Sequence, residues 1–561
     1  MTDQHTQAMT TEPDILIMGG GVTANLLAAY FRKYVPDLSV VIVRPRDSTR
    51  PIVGESTIEI TTRVMQDLGL SRMLVEKHFP KYGLTYYYKR NLKDPTDPVY
   101  YTSEPANIPP FPAFQLNRFV FDRDLEQINI EGGVRVTNGR VREVSVGEGA
   151  ARHRTKVQLD EGDEIELSSR WLVDATGRSR VLGRALHLHT PDEHGQRDVF
   201  WMRVSNFDEG LLRDIPSVKK ENRSFDSYYA THHFMGKGNW IWAIPMRTDE
   251  HENLISIGII YRPDIYPHTI RNAEDFDKYV AEEHPAVADL VRSGTVEDTN
   301  RYRKYMYTSR QRYSANGWFC IGDAADSVDP LYSTGLALSS VQATQITELI
   351  TRQRNGTCGP DFASDLDRAF EVFHHTAQND ITRLYEVMDQ PLTCALWQHL
   401  GFITHHYVVA PFVLSGYLCD PVGAKLWSRL VGAELAGRGL NPMKRLVQQA
   451  AARDGLDLRS ELPRLQSGFA LNFRFFEWAR EEDMARSLAR MHRYLVGFRL
   501  RMMRHAGWSN LSMDQLGELA RDAAAGSLLP LLFEGRKVRS SQLVARWLGV
   551  RGPVEHTTRR V

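Results

Sequence analysis

The 561-residue chain has few cysteines, no excess of either charge and no long apolar run. Its cysteines show no CxxC pair and no disulfide-framework spacing, and such low use fits a reducing cytoplasm; they are Cys320, Cys358, Cys394 and Cys419. No window reaches the ~18 uninterrupted apolar residues of a membrane span. With 69 basic and 69 acidic residues, nothing favours nucleic acid or an anionic membrane as a partner.

What remains is ordinary globular composition, with 42% hydrophobic and 25% charged residues. The length favours two or three domains rather than one core. Residues 1–13 are polar, so we expect a disordered N-terminus that is neither a signal peptide nor an anchor. The composition therefore favours a soluble, cytoplasmic protein.

A glycine-rich turn follows the first apolar run. Residues 14–18 predict a strand and residues 25–30 open a helix, with Gly-Gly-Gly-Val-Thr-Ala between them. This is the G-x-G-x-x-G/A fingerprint in its strand, turn and helix context. Its glycines let backbone N–H groups approach a pyrophosphate, whose charge the helix end favours. We therefore predict that a dinucleotide is bound by Gly19, Gly21, Val22, Thr23 and Ala24.

The second predicted strand, residues 39–43, departs from that pattern at its end. An Asp or Glu normally stands there to hold the ribose hydroxyls, whereas this chain has Arg44. Either Asp47 or backbone groups replace that contact, or Arg44 packs along the adenine or reaches a phosphate. Arg44 is thus a cofactor-binding candidate whose contact stays open.

Further short blocks follow the fingerprint in order along the chain. They are residues 54–56 (Gly-Glu-Ser), Arg118 with Asp122 and Leu125, residues 173–177 (Val-Asp-Ala-Thr-Gly) and residues 318–325. Together they resemble the FAD-binding fold shared by aromatic hydroxylases and flavin-dependent halogenases. The resemblance implies FAD contacts at Gly54, Glu55, Ser56, Arg118, Asp174, Gly177, Gly322 and Asp323. No second glycine fingerprint for NAD(P)H is present, and aromatic hydroxylases of this fold also lack a separate nicotinamide domain.

Residues 240–245, Trp-Ile-Trp-Ala-Ile-Pro, would on their own be an ordinary buried strand. Beside the flavin signals, their Trp-x-Trp-x-Ile-Pro pattern resembles the recognition motif of flavin-dependent halogenases. The resemblance places Trp240, Trp242 and Pro245 next to the flavin, where they keep substrates away from its ring. The chemistry would then have to travel to a second site.

Residues 328–335, Val-Asp-Pro-Leu-Tyr-Ser-Thr-Gly, resemble the halogenase block F-x-P-x-x-S-x-G, with Val328 in place of Phe. We expect Ser333 to cap a helix that begins near Gly335. The N–H groups of Thr334 and Gly335 would then point outward at a positive helix end, which suits chloride. Halide candidates are Ser333, Thr334 and Gly335, and the flavin candidates here are Pro330, Gly335 and Leu336.

Residues 79–83, Phe-Pro-Lys-Tyr-Gly, resemble the F-x-x-K-x-G segment that carries the essential lysine of phenol and pyrrole halogenases. This makes Lys81 the catalytic candidate, with Lys89 and Lys93 as nearby competitors. Desolvation among the neighbouring aromatic residues would lower the lysine pKa and favour a neutral amine.

The resemblance also implies a mechanism and partners. A separate flavin reductase supplies FADH2, O2 reacts with the flavin, and chloride held near Thr334 and Gly335 becomes hypochlorous acid. This passes Trp240 and Trp242 to Lys81, where it is captured as a chloramine or oriented by an ammonium hydrogen bond. A small electron-rich aromatic substrate then receives the chlorine.

The substrate is less defined. Tyr332 stands where tryptophan halogenases carry a glutamate, which argues against free tryptophan. At strand spacing only one of His232 and His233 would face the cofactor. The length and course of the chain resemble halogenases of phenolic polyketides such as tetracyclines. The alternatives are a pyrrole, phenylpyrrole or carrier-bound substrate, an aromatic-ring FAD monooxygenase, and a non-catalytic flavoprotein.

The expected fold is α/β. A Rossmann-like FAD-binding domain of the aromatic-hydroxylase and halogenase type would span residues 14–185 and 301–356. A β-sheet substrate domain would be inserted at residues 186–300. After residue 357 apolar residues recur at helical spacing, which predicts a C-terminal helical domain over residues 357–561.

Overall fold

The computed structural model describes residues 11–46, 52–91, 94, 97–104, 112–191, 195–218, 225–266, 269–433, 440–452 and 481–533. Residues 1–10 of the predicted disordered segment, Asp47 and Lys93 lie outside the described residues. Thr11 and Pro13 are described, and their carbonyls accept hydrogen bonds from Ser168 and Arg152. The prediction of disorder is therefore wrong for this end of the segment, since it is fastened to the neighbouring strands.

The strands are short and are distributed over most of the first 320 residues. They are β1 (Ile15–Met18), β2 (Val40–Arg44), β3 (Phe79–Lys81), β4 (Leu84–Lys89), β5 (Tyr100–Ser103), β6 (Ala113–Gln115), β7 (Arg135–Ser145), β8 (His153–Leu159), β9 (Glu164–Ser169), β10 (Trp171–Asp174), β11 (His189–Pro191), β12 (Asp198–Ser205), β13 (Thr231–Gly236), β14 (Asn239–Met246), β15 (Leu254–Tyr261), β16 (Thr295–Tyr302), β17 (Tyr307–Ser309) and β18 (Trp318–Cys320).

The helices become longer towards the C-terminus. They are α1 (Val22–Tyr34), α2 (Glu59–Asp67), α3 (Ser71–Lys77), α4 (Arg118–Glu131), α5 (Val181–Ala185), α6 (Glu209–Arg213), α7 (Ala273–Glu283), α8 (Pro285–Arg292), α9 (Gly335–Arg354), α10 (Phe362–Leu384), α11 (Pro391–Thr404), α12 (Ala410–Leu414), α13 (Pro421–Ala433), α14 (Leu440–Ala451), α15 (Glu481–Ala506) and α16 (Met513–Phe533). A π-helical segment, His405–Val409, joins α11 to α12. No described helix combines the length and apolar character of a membrane span.

The first sheet has the strand order β18-β10-β1-β2-β7-β8-β9. Strand β1 runs parallel to both neighbours, with Ile17 opposite Val173 of β10 and Ile42 of β2. All of β1 is buried, as expected for a parallel strand covered on both faces. The carboxyl ends of β1 and β10 therefore meet at one edge, where an α/β sheet of this kind binds its ligand.

The second sheet has the order β16-β12-β15-β14-β13-β4-β5 and holds residues 240–245 near its middle, in β14. Successive side chains of a strand point to opposite faces. Accordingly Trp240 and Trp242 join the core shared with the first sheet and the helices, whereas Ile241 and Ala243 join a separate core on the other face. The tryptophans thus face the rest of the molecule.

The predicted architecture of Rossmann-like sheet, second sheet and helical C-terminal region is present, but one domain boundary is wrong. Strands β4 and β5, predicted as part of the FAD-binding domain, belong to the second sheet, where β4 pairs in parallel with β13. This pairing sets Tyr86 opposite His233. The segment that carries Lys81 is therefore attached to the same sheet as the two tryptophans.

Candidate active site

The glycine turn after β1 has the geometry that close approach of a dinucleotide requires. Gly19 has φ of +105°, and a Cβ there would lie 2.2 Å from the carbonyl oxygen of Ala175. Gly21 caps α1 without a side-chain hydrogen bond, and a Cβ on it would meet nothing within 4 Å. The helix end is thus open, with N–H groups available for a phosphate.

Arg44 is committed to the protein. Its guanidinium bonds both carboxylate oxygens of Glu126 at 2.8 and 2.5 Å and the side chain of Asn138 at 3.1 Å. A Cβ on Gly20 would lie 2.4 Å from Arg44 Cδ, so the stem of the arginine covers the glycine turn. Because the guanidinium is already bonded to Glu126 and Asn138, the structure disfavours the expected contact of Arg44 with a phosphate. Packing of its aliphatic stem along the cofactor stays open.

Asp174 and Asp323 play different parts at the edge of the first sheet. The Asp174 carboxylate is buried and accepts hydrogen bonds from Thr176 N, Thr176 Oγ1 and Leu182 N at 2.9, 2.6 and 2.7 Å. It shapes the turn that leads to Gly177, so the prediction of direct cofactor contact by this side chain is wrong. Asp323 is exposed, and within the described residues no hydrogen bond engages its carboxylate. It is free to accept from ligand hydroxyls.

The loop at residues 54–56 is held by a buried arginine. Arg118 forms an ion pair with Asp122 at 2.8 Å and donates to the carbonyls of Val53 and Gly54 at 2.9 and 3.3 Å. Gly54 has φ of +98°, and its N–H donates to Glu55 Oε2 at 2.8 Å. Burial raises the pKa of Glu55. Arg118 therefore fixes the loop that would border the flavin.

Lys81 lies at the end of β3 and is 4% exposed. Its Nζ donates to the carbonyl of Thr57 at 2.8 Å and to Ser333 Oγ at 3.2 Å. Burial lowers the pKa of Lys81 to about 7, against the opposing charge of Glu59. A buried amine near neutrality can act either as an ammonium donor or as a nucleophile.

Ser333 differs from its expected role as a helix cap. It has φ of +58°, and its hydroxyl, which accepts from Lys81, donates to Ser56 Oγ at 3.0 Å. Ser56 in turn shares a hydrogen bond with Thr231 at 2.9 Å. The capping position of α9 is occupied by Thr334, which makes no side-chain capping bond. Ser333 instead ties the lysine to the loop at residues 54–56.

The N-terminus of α9 next to Ser333 keeps its polar groups available. Thr334 Oγ1 is buried and has no hydrogen-bond partner among the described residues. Gly335 begins a helix of 20 residues, whose first N–H groups carry partial positive charge. The halide candidates Thr334 and Gly335 are thus adjacent to the Lys81 contact on Ser333, with Pro330 and Leu336 on either side in the chain.

Trp240 and Trp242 form a buried wall. Their rings lie 6.0 Å apart and they are 1% and 5% exposed. Trp240 Nε1 donates to Tyr385 Oη at 2.9 Å, and Trp242 Nε1 donates to Ser256 Oγ at 3.1 Å. Since each indole is held at both its ring and its nitrogen, the wall is rigid. Pro245 lies opposite Ile255 in the ladder of β14 and β15, where it ends the motif.

An aromatic cluster lies where β4 meets the C-terminal helices. Tyr86 stacks on His233 at 4.7 Å and approaches Phe402 at 6.1 Å, and Tyr332 approaches the same phenylalanine at 5.8 Å. The Tyr86 hydroxyl is buried and has no hydrogen-bond partner among the described residues. The cluster thus packs aromatic faces around a buried hydroxyl that bonds no described residue.

The two adjacent histidines point to opposite sides, as strand spacing predicts. His233 shares the face of Trp240, whose ring centroid is 5.4 Å away, and burial lowers the pKa of His233 to about 3. His232 Nδ1 lies 2.9 Å from Tyr87 Oη on the other face. Because the one on the site face is neutral, His233 serves as an aromatic wall rather than as an acid.

Residues that sequence patterns did not indicate complete the site. Glu59, in the first turn of α2, accepts a hydrogen bond from His405 Nε2 at 2.5 Å. Asp329 accepts from Arg197 at 2.6 Å and from Tyr385 at 2.7 Å. Asp329 lies within the 328–335 block, but these pairs join positions far apart in the chain, so no sequence signal marked the pairing.

Comparison with protein-family models matches residues 89–399 to the model described as tryptophan halogenase. The glycine turn and Lys81 lie before the first matched residue. Among curated proteins, the flavin-dependent halogenase chlA of Dictyostelium discoideum is 30% identical over 395 residues, which cover 64% of this chain and 62% of that relative. A 1H-pyrrole-2-carbonyl carrier-protein chlorinase of Pseudomonas fluorescens is 24% identical, over 58% of this chain and 73% of its own length. The chain thus spans less than two thirds of the chlA protein.

Solved structures show the same fold. The halogenase PltM aligns with a TM-score of 0.59 at 16% identity, over 89% of this chain and 99% of that one. PltM in complex with phloroglucinol and FAD aligns with a TM-score of 0.56 at 15% identity, over 91% and 99% of the two chains. The flavin-dependent brominase Bmp2 aligns with a TM-score of 0.54 at 18% identity, over 76% and 98%. The expected α/β fold is thereby confirmed.

Proposed function

Because this chain belongs to the tryptophan halogenase family, we propose that it is an FADH2-dependent halogenase that uses O2 and chloride to chlorinate an electron-rich aromatic ring. The observation that carries the proposal is the buried Lys81, which bonds Ser333 at 3.2 Å beside the open N-terminus of α9. An aromatic hydroxylase needs an open path from flavin to substrate and has no use for a lysine behind two tryptophans.

The residues present fit FAD. The open end of α1 at Gly21 accommodates a pyrophosphate, and the free carboxylate of Asp323 accommodates ribityl or ribose hydroxyls. Arg118 and the loop at residues 54–56 would border the flavin ring. When bound in reduced form, FAD would supply the two electrons that reduce O2 to the peroxide level, and this oxidant would convert chloride to hypochlorous acid.

The chain's own residues then bind the chloride, keep the aromatic substrate apart from the flavin and deliver the chlorine. Thr334 Oγ1 and the N–H groups of Thr334 and Gly335 bind chloride at the positive helix end. Trp240 and Trp242 keep the aromatic substrate from the flavin. Lys81 orients or captures the chlorine, which replaces a ring hydrogen while the oxygen of hypochlorous acid leaves as water.

We favour a phenol as the substrate class. A phenolic polyketide such as a tetracycline is a larger member of that class. The cluster of Tyr86, Tyr332 and Phe402 provides aromatic side chains and an unbonded hydroxyl, and the similar PltM has been solved with phloroglucinol. A carrier-bound pyrrole is the second candidate, since two similar curated proteins act on pyrrole-2-carbonyl carriers. In either case we propose a separate flavin reductase as the source of the reduced cofactor, as the similarity to flavin-dependent halogenases implies.

One assay tests the proposal. The protein is incubated with FAD, a flavin reductase, NADH, O2 and chloride, together with free phenols or a pyrrole-2-carbonyl carrier protein, and the products are weighed by mass spectrometry. A gain of one chlorine in place of hydrogen supports the proposal and identifies the substrate class. Products that gain only oxygen would show a monooxygenase and overturn it.

A further inference from the structure

The backbone turn that accepts the Lys81 hydrogen bond also carries a carboxylate that the motifs do not include. Glu59 follows Thr57, whose carbonyl accepts the Lys81 hydrogen bond at 2.8 Å, by two positions at the start of α2. Its side chain is only 16% exposed, and its Oε1 accepts from His405 Nε2 at 2.5 Å. The lysine and the carboxylate are therefore attached to the same turn of backbone.

His405 reaches Glu59 from the C-terminal helices. It begins the π-helical segment His405–Val409, a geometry that is rare and often found at functional sites. Phe402 lies three positions earlier on the same helical face and packs near Tyr86 and Tyr332. One face of this helix thus packs against the aromatic cluster through Phe402 and binds Glu59 through His405.

We propose that Glu59, held by His405, is a positioning residue that supplies the counter-charge of Lys81 and thereby sets how much of the lysine is ammonium at working pH. The proposal rests on the halogenase function proposed above, in which Lys81 handles the chlorine. Its content is electrostatic. Burial disfavours the ammonium form of a lysine and lowers its pKa, whereas a nearby negative charge raises that pKa.

The charges around the pair support this role. Burial would raise the pKa of Glu59, but the charge and hydrogen bond of His405 outweigh it and hold that pKa at about 2. Glu59 is therefore an anion across the working range. Burial lowers the pKa of Lys81, and Glu59 opposes that shift and leaves it at about 7.

The other titratable groups facing the pair do not compete. Burial lowers the pKa of His233 to about 3 and that of His406 to about 4, so both are neutral near pH 7. Burial raises the pKa of Tyr86 and Tyr332 well above 10, so both phenols keep their protons. Tyr332 in particular cannot supply the negative charge. Among the described side chains around Lys81, Glu59 is thus the one whose charge opposes the lowering of its pKa by burial.

The test compares Glu59→Gln with a matched control, Glu348→Gln. The glutamine keeps its size and its acceptor for His405 and removes only the charge. Glu348 is a half-buried carboxylate paired with Arg352 on α9, 21% exposed, and is not among the groups that shift Lys81. The lysine Cε carbons are labelled with 13C, the Lys81 signal is assigned by its loss in Lys81→Met, and its titration is followed by NMR in the full-length protein.

The midpoint of the Lys81 titration should fall by on the order of one pH unit in Glu59→Gln and stay at the wild-type value in Glu348→Gln. Glu59→Asp, which keeps the charge, should titrate closer to wild type than the glutamine variant. In chlorination assays, the limb of the wild-type pH profile whose midpoint matches the Lys81 titration should move by the same interval in Glu59→Gln.

Two results separate the claims. A Lys81 midpoint that is equal in Glu59→Gln, Glu59→Asp and wild type would overturn the role of Glu59 while leaving halogenation untouched. Suppose instead that the Lys81 midpoint shifts in Glu59→Gln but the wild-type protein makes no chlorinated product. This result would refute the proposed function and leave the electrostatic pairing of Glu59 and Lys81 standing.

Discussion

Trp240 Nε1 donates a hydrogen bond to Tyr385 Oη, and the 2.9 Å contact connects the tryptophan wall to the residue that follows α10. The Tyr385 hydroxyl in turn donates a hydrogen bond to Asp329 Oδ2 at 2.7 Å. Asp329 begins the turn that leads to the halide candidates and is also paired with the buried Arg197. The wall, the helical region and the turn before α9 are therefore held by one buried network.

Tyr385→Phe should destabilise the protein by about 1–3 kcal/mol, because it leaves the buried indole N–H of Trp240 without an acceptor. Denaturant unfolding measures the loss. Tyr229→Phe is the matched control, since no hydrogen bond of its hydroxyl occurs among the described residues. A double-mutant cycle with Trp240→Phe should show a coupling, and additive effects of the two changes would contradict the link.

Gly21→Ala should separate cofactor binding from folding. A Cβ at this position meets no protein atom within 4 Å, so the unfolding free energy should change by less than about 0.5 kcal/mol. The added methyl would lie at the helix end where we place the pyrophosphate, so FAD should bind at least ~10-fold more weakly. Fluorescence titration with FAD measures the affinity.

The neighbouring Gly19→Ala provides the contrast, since its Cβ would collide with the carbonyl of Ala175 at 2.2 Å. This variant should lose stability even without FAD. If Gly21→Ala binds FAD as tightly as the wild type, the pyrophosphate is not at this turn.

Lys81→Met should abolish chlorination, by at least ~100-fold, while FAD binding and O2-dependent oxidation of FADH2 persist. The lysine contacts Thr57 and Ser333 rather than the glycine turn, so the cofactor should not sense its loss. Product mass and flavin absorbance are measured on the same samples. Lys237→Met, at an exposed lysine, is the control and should chlorinate normally; chlorination by Lys81→Met would refute the lysine assignment.

Lys81 should also make folding stability depend on pH. Its pKa falls from the usual ~10.4 to about 7 in the folded protein because of burial, so the unfolded chain binds more protons between these values. Stability relative to Lys81→Met should therefore rise with pH through this window, by up to about 1.4 kcal/mol per pH unit. Urea unfolding of both proteins at pH 7 and pH 9 measures the difference. A difference that stays constant or falls would show that Lys81 remains an ammonium in the fold.

Local patterns predicted the elements whose reasons are local. The strand, glycine turn and helix at residues 14–34 and the helix at Gly335 lie within a few residues of their expected limits. The fold class and the halogenase family, expected from ordered short motifs, are confirmed by the comparisons. These features depend on glycine geometry and hydrophobic period, which a single sequence displays.

The features that sequence analysis missed depend on pairing across the chain. Strand β4 joins the second sheet because its partner is β13, more than a hundred residues later. Ser333 was expected to cap α9, but its hydroxyl is engaged by Lys81 and Ser56. Asp174 was expected at the cofactor, but its own turn supplies three donors. For β4 and Ser333 a tertiary contact replaced the role that the local motif suggested, whereas for Asp174 hydrogen bonds within its own turn did so.

The contact of Lys81 with Ser333 spans 252 positions, and that of Glu59 with His405 spans 346. At synthesis rates of ~5–20 residues per second, the lysine segment leaves the ribosome more than ten seconds before either partner of the finished centre can reach it. The first sheet can pair its early strands during that interval, whereas the reactive centre cannot form. The centre that joins Lys81 to Ser333 and Glu59 to His405 is therefore among the last parts of the molecule to form during synthesis.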